Sequence, residues 1–457
     1  MNKHISRRDF LKLAGGAAFT VGGASLLPQF LRKTLLPDQV VSAASVPPDL
    51  YIAGTDGWIH LPSNPPIGFF FPDDLAPGYP DGLNTYIFGF RNVTNMDPDP
   101  VTAQTMIDAQ KNKAQHNAPL FWVNEFNPSA PVDFNLQLTN LGLAQRPDLT
   151  DSHTLHWHGF RNVIPFYDGE PTGSVSVPVG RNFTYVYRPR NPGTYMYHCH
   201  VEDVEHVHMG MTGLVFVRPL QDGQSFGGYT KFAYNDGDGS TGYDREFAMF
   251  LSEVWAEAHW ADSHIQLPDW TDYRADFSLL NGRVYPDTLE ANGSVDPFNP
   301  VRDPSGDLIA PAGRPDLQYQ PLSALVTCQP GERVLLRFAN LGFREASMTL
   351  AGIKMRVVGR DATPMRGGLN GATGADTSYD TDTILIGAGE SYDVIFTAPS
   401  FSGGSGSSGL GYDTYVLYNR RYSQDDNLAG GYGGQRTEIR VFPGGLTAQQ
   451  YPNDWGM

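Results

Sequence analysis

The sequence predicts an all-β protein of two tandem domains that share one fold, with one short helix in the first. Three observations predict it. The chain spaces 50 glycines and 35 prolines between short runs rich in Val, Tyr, Phe and Thr, which is the punctuation of strands and turns. Val132-Asp-Phe-Asn-Leu-Gln-Leu-Thr139 alternates apolar and polar residues, as a strand with one buried face must. The chain also repeats itself. Phe134-Asn-Leu-Gln-Leu-Thr-Asn-Leu-Gly142 returns as Val334-Leu-Leu-Arg-Phe-Ala-Asn-Leu-Gly342, and Gly180-Arg-Asn-Phe-Thr-Tyr185 returns more loosely as Gly389-Glu-Ser-Tyr-Asp-Val394. Two copies of one fold are the simplest source of such pairs.

Taken in order, residues 1–44 read as a targeting segment. Ser6-Arg-Arg-Asp-Phe-Leu-Lys12 and the apolar run Leu13 to Leu27 resemble a twin-arginine export signal, which implies a periplasmic or extracellular protein. The run is shorter than the roughly 20 residues a membrane span needs, so cleavage near Ala43 or Ala44 is expected, and an uncleaved chain would be membrane-tethered. Removing this segment, with its six basic and two acidic side chains, takes the formal charge from −17 to −21. Such a surface excludes nucleic acid as a partner.

Residues 45–219 form the first predicted domain. Its opening strands lie within 46–96, a helix is expected from Val101 to Gln115, and His60 and His116, at no ligand spacing, are expected at the surface. Gly213-Leu-Val-Phe-Val217 reads as the closing strand. Residues 220–244 are a polar linker whose Asn235-Asp-Gly-Asp-Gly-Ser240 reads as an ordinary turn. Residues 245–457 form the second domain. Cys328 is expected as a buried free thiol.

Chemistry concentrates in two stretches of the first domain. Seven of the twelve histidines fall between 153 and 208, in Asp151-Ser-His-Thr-Leu-His-Trp-His-Gly159 and Tyr195-Met-Tyr-His-Cys-His-Val-Glu-Asp-Val-Glu-His-Val-His-Met-Gly-Met211. Thiolate, imidazole and thioether together are the donors of a blue (type 1) copper centre. Strand parity sorts them. Cys199 faces one way while His198 and His200 face the other. His156 and His158 share a face, and His153 takes the opposite one. Two metal groups follow: His153 with Cys199, and behind it His156, His158, His198 and His200.

Leu155-His-Trp-His-Gly159, Tyr167-Asp-Gly-Glu-Pro171 and Gly193-Thr-Tyr-Met-Tyr-His-Cys-His200 resemble the multicopper oxidases, proteins of linked cupredoxin domains that include laccases. The resemblance implies that the two domains are cupredoxin-like Greek-key β-sandwiches and that copper is the cofactor, with His153, Cys199 and a later histidine as type 1 ligands. It also implies that His156, His158, His198 and His200 are half of a trinuclear cluster that reduces dioxygen. Both His206 and His208 follow Cys199 at suitable distances. Family spacing, four residues between this histidine and the axial ligand, favours His206 with Met211, leaving His208 behind the ligands or at the surface and Met209 in packing.

The repeat shows what the second domain lacks. Thr349 and Ala351 stand where His156 and His158 stand, and Tyr418, Asn419 and Arg420 replace His198, Cys199 and His200. Its histidines, His259 and His264, lie near its start with no ligand pattern. Relatives draw eight cluster histidines from two domains, and this chain supplies four. Three functions fit: an oxidase whose cluster is completed by a homo-oligomer or partner protein, a blue-copper electron carrier, and a nitrite-reductase-like enzyme. The electron donor, a small molecule or a metal ion, is not named by the sequence, although Glu202, Asp203 and Glu205 crowd the Cys199 loop.

Overall fold

The computed structural model describes residues 47–61, 75, 82–96, 105, 107–161, 163–367, 374–404, 410–426 and 433–456. The proposed signal segment lies outside these. In the first half the strands are β1 (Leu50–His60), β2 (Leu83–Asn92), β3 (Phe121–Asn124), β4 (Phe134–Gly142), β5 (His156–His158), β6 (Asn182–Tyr187), β7 (Gly193–His198) and β8 (Thr212–Arg218), with helix α1 (Asp203–Met209) between the last two. They form two four-stranded sheets, ordered β2-β1-β4-β6 and β3-β8-β7-β5.

The second half runs β9 (Arg245–Val254), helix α2 (Ala256–Ser263), β10 (Phe277–Leu280), β11 (Val326–Cys328), β12 (Arg333–Asn340), β13 (Ala346–Leu350), β14 (Met355–Arg360), β15 (Thr363–Pro364), β16 (Tyr379–Thr381), β17 (Thr383–Ile386), β18 (Ser391–Thr397), β19 (Asp413–Asn419) and β20 (Arg436–Val441). One sheet begins β10-β9-β12-β18 and adds β14, β15 and β16; the other is β11-β20-β19-β13-β17. Strand for strand, this is the order of the first half. Even the parallel pairs correspond: β1 with β4 and β3 with β8, then β9 with β12 and β11 with β20. The expected tandem sandwiches are present, and the sequence repeat is a repeat of topology.

Each sandwich closes over its own apolar core. Leu136, Leu138, Tyr185, Tyr197 and Val215 are among the residues that fill the first, and Phe247, Leu336, Met348, Val394 and Leu417 are among those that fill the second. A third cluster, with Met196, Leu214 and Phe216 meeting Ala248, Phe250 and Ala339, joins the two. Beside it lies a buried ionic seam. Arg337 donates to Glu246 at 2.6 Å and to Asp393 at 3.2 Å, and Arg218 donates to Glu246 at 2.6 Å. Asp393 also accepts from Thr194 of β7 and from Tyr234. Cys328 is a buried free thiol, its pKa pushed up by burial to about 12.

Three local expectations need correction. The helix expected over 101–115 lies partly outside the described residues, and the helical turns that are described stop at Asn112, whose φ of 63° is left-handed. Helix α1, by contrast, occupies a stretch read as a loop. Asp203 and Glu205 in its first turn suit the helix dipole. Finally, His116 is buried, not at the surface, and His60 is partly buried. The second sandwich covers His116, whose Nε2 lies 3.3 Å from the Ser252 hydroxyl.

Candidate metal centre

Four elements converge on Cys199. It follows the last residue of β7, and its backbone N–H donates to the carbonyl of Met211 at 3.1 Å. Helix α1 fills the loop between them. Gly210 ends the helix at φ 121°, and a Cβ there would lie 2.7 Å from both the Phe88 carbonyl and His116 Nδ1. Only glycine makes that turn without displacing backbone. The turn also returns Met211 N to the carbonyl of His206 at 2.9 Å.

The thiol lies between two imidazoles. Cys199 Sγ is 3.3 Å from His206 Nδ1 and 3.9 Å from His153 Nδ1. His153 is positioned by its two-way backbone bridge to Val177. The Met211 methyl borders the same space, because a Cβ on Gly54 of β1 would sit 2.8 Å from the His153 ring and 3.4 Å from Met211 Cε. All four side chains are buried. His208 is elsewhere: its Nε2 accepts the Trp255 N–H at 3.0 Å, and Met209 packs in the core.

The electrostatics of this pocket suit a cation. Burial and the neighbouring imidazole of His206 hold His153 well below its usual pKa, and burial holds His206 at about 4, so both rings are neutral and able to donate a lone pair. Burial pushes the Cys199 thiol up to about 11. In this pocket the sulfur gains its charge most readily when a metal replaces the proton. Both Nε2 atoms are buried without a hydrogen-bond partner, although an Asp151 oxygen lies 3.9 Å from that of His206.

The second group lies across the same strand. His156 and His198 face each other in the β5–β7 ladder, and one ring nitrogen from each of His156, His158 and His198 falls within 4.8 Å of the others. His200 adds a fourth ring, 5.1 Å from His156 and 5.5 Å from His198 between centroids. The Nδ1–H groups of His156 and His198 donate to the carbonyls of Asp168 and Cys199, each at 2.8 Å. That fixes the tautomer and leaves both Nε2 lone pairs for a metal. Burial holds His198 at about 3. His156, His158 and His200 are partly exposed, so the group opens toward solvent. On the side of His158, Nε2 lies 3.1 Å from where a Gly389 Cβ would stand, and the second sandwich brings no histidine there.

The remaining histidines and the linker turn have structural partners. His259 is buried, with Nδ1 donating to the Tyr86 carbonyl at 2.5 Å, and His264 stacks on Trp260. Asp236 ties the 235–241 turn together by accepting from Gln221, Gly239 and Thr241. The sequence did not reveal the burial of His116, His208 and His259 around α1, because nothing local to them distinguishes a covered histidine from a surface one.

Two family models, each described as multicopper oxidase, match residues 106–222 and 264–404, more than half of the chain together. Multicopper oxidase MmcO of Mycobacterium tuberculosis is 26% identical over 253 residues, 55% of this chain and 42% of that protein. A laccase of Arthroderma benhamiae is 25% identical over 311 residues, 63% and 38%. The chain thus spans less than half the length of these curated relatives. Among solved structures, the blue copper oxidase of Nitrosomonas europaea aligns with a TM-score of 0.54 at 19% identity, covering 86% of this chain and 85% of that one. The multicopper oxidase mgLAC aligns with a TM-score of 0.52 at 20% identity, covering 86% and 84%. These two share its fold.

Proposed function

This chain belongs to the multicopper oxidase family, a family of copper proteins, and we propose that it is a copper-dependent oxidoreductase that takes electrons at the Cys199 centre and delivers them to dioxygen at the His156 group. One observation carries the reading. The thiol between two neutral imidazoles is covalently continuous, through His198-Cys199-His200, with a second histidine group on the other face of the same strand. Copper at the first site would supply one-electron exchange and copper at the second would supply dioxygen binding and reduction.

The chain's own residues set the conditions. Cys199, His153, His206 and Met211 would hold the first metal in a buried pocket, where the short Cys199 side chain leads straight into the His198 and His200 backbone. Burial and crowding keep His156, His158 and His198 unprotonated near neutral pH, and the Asp168 and Cys199 carbonyls aim two of them. Four histidines, one buried and three partly exposed, make half a cluster. A second copy meeting this one about a two-fold axis would set four against four, and a partner protein bearing histidines would serve the same purpose.

Copper content, native mass and oxygen uptake with a phenolic donor test the reading. A completed cluster shared by a homodimer requires about 2.5 coppers per chain, whereas a bare electron carrier holds about one. A monomer with one copper and no oxygen uptake would falsify the oxidase reading unless a partner protein supplies the missing histidines. The mutual approach of His156, His158 and His198 within 4.8 Å favours a second reading, in which one chain holds a single three-histidine copper and acts as a nitrite-reductase-like enzyme. Nitrite consumption without oxygen uptake would identify it. Export by the twin-arginine route to the periplasm or the exterior belongs to both readings, and cell fractionation tests it.

A further inference from the structure

Four carboxylates stand around the four-histidine group, supplied by three separate parts of the chain. In the loop after β5, Asp168 Oδ1 lies 3.6 Å from His156 Nδ1, and Glu170 is close enough to act electrostatically on both His156 and His200. At the start of α1, an Asp203 oxygen lies 3.9 Å from His200 Nδ1. The fourth comes from the second sandwich. Asp361, in the turn after β14, shares with His158 a cavity of about 210 Å³ that Thr194 and Ser391 also line. Burial holds the His158 ring below its usual pKa, and the Asp361 carboxylate pulls the other way.

Asp361 is fixed in its place. Its φ of 48° is left-handed, a backbone that Asp and Asn tolerate better than most residues. It also exchanges two bonds with Ser391: its N–H donates to the Ser391 carbonyl, and its Oδ1 accepts the Ser391 N–H, each at 2.9 Å. Arg360 is neutralised by Glu390 at 3.2 Å. That leaves Arg161, which donates to the Thr363 hydroxyl at 3.3 Å, against four carboxylates.

We infer that these four carboxylates select the electron acceptor: they disfavour anions at the His156 group and leave neutral dioxygen unaffected, so that the site discriminates against an oxyanion such as nitrite. The inference rests on reading the His156 group as a copper site. A like charge about 7 Å away costs an anion about threefold in affinity where water fills the space between, and more where protein replaces the water. Three of the four rings are partly exposed, so the watery end of that range applies and dissolved salt weakens it. A neutral diatomic molecule carries no charge for the ring to repel.

The test titrates the copper-loaded full chain with azide, an anionic copper ligand, and with imidazole, which is uncharged at about pH 8. Azide-to-copper absorption and the EPR signal of non-blue copper report binding. At roughly 20 mM ionic strength, Glu170→Gln and Asp361→Asn should each tighten azide about threefold and together about tenfold, while imidazole stays within about 1.5-fold. Nitrite, displacing azide, should gain by the same factors. Sulfate added to roughly 0.3 M ionic strength should shrink the gain below about twofold. Asn keeps the left-handed turn and the Ser391 bond, so that variant changes charge alone. Azide affinity indifferent to both variants and to ionic strength would overturn the carboxylates as selectors, and so would an equal gain for imidazole, the mark of a widened site. A chain with no non-blue copper signal and no more than one copper would overturn the copper reading beneath it.

Discussion

Thr349 pairs with Tyr418 in the second sandwich at the register position where His156 pairs with His198 in the first. One residue further along, Asn419 stands in place of Cys199, and Ala346 stands in place of His153. The backbones match, but the buried centres differ. In the first, His153 Nδ1 and His206 Nδ1 lie 3.9 and 3.3 Å from Cys199 Sγ, and the other ring nitrogen of each, Nε2, has no hydrogen-bond partner. In the second, Asn419 accepts from the backbones of Ser347 and Arg421 and donates to Gln424 and Gln435. Gln424 in turn donates to Glu253, and Gln435 to the carbonyls of Ser252 and Leu279. A buried polar group needs a partner. One sandwich meets that need with protein amides, and the other leaves donor atoms facing each other for a ligand that the fold does not supply.

The largest expected effect breaks the contrast at its source. Cys199→Ser should abolish the thiolate–copper absorption while far-ultraviolet circular dichroism stays unchanged, because a hydroxyl is a poor copper ligand. The reverse substitution, Asn419→Cys, should create no second band, since Ala346 offers no imidazole; visible spectra of the two variants decide both points. His200→Ala should next lower oxygen uptake by at least roughly 100-fold, beyond the loss usual for a group that merely supports a ligand. The blue band should persist. If His200→Ala bleached it, the two histidine groups would not be separate sites.

A smaller effect belongs to the sealed centre. Asn419→Ala strands two glutamines and two backbone N–H groups, and at about 1–3 kcal/mol for a buried group left unsatisfied the midpoint of denaturant unfolding should drop clearly, with copper content unchanged. Lost copper would mean that the second sandwich supports the first site directly.

A pH-dependent effect lies in the seam between the sandwiches. Burial alone would raise Glu246, but Arg218 and Arg337 outweigh it and hold its carboxyl at about 2, below the usual 4.5. A depressed carboxylate adds stability that is fully present above the unfolded pKa and is lost as pH falls toward the folded one. Unfolding midpoints should therefore decline between about pH 5 and pH 2, and Glu246→Gln should flatten that decline on an already less stable protein. An unchanged slope would remove this ion pair from the account.

Strand parity and repetition were legible in the residues themselves. A period of two is a local property of extended chain, so His153 and Cys199 separated from His156, His158, His198 and His200 before any contact was known, and the repeat located Tyr418 and Asn419. The choice between His206 and His208 was different in kind. Spacing alone admitted both, and the tertiary structure set one imidazole 3.3 Å from the sulfur and the other under Trp270 and Tyr273, because a short helix sends residues two apart to opposite sides. The burial of His116 and His259, the amide network around Asn419 and the Arg337 seam likewise depend on residues far apart in the chain. Local sequence carries periodicity, and only packing decides which groups lose their water.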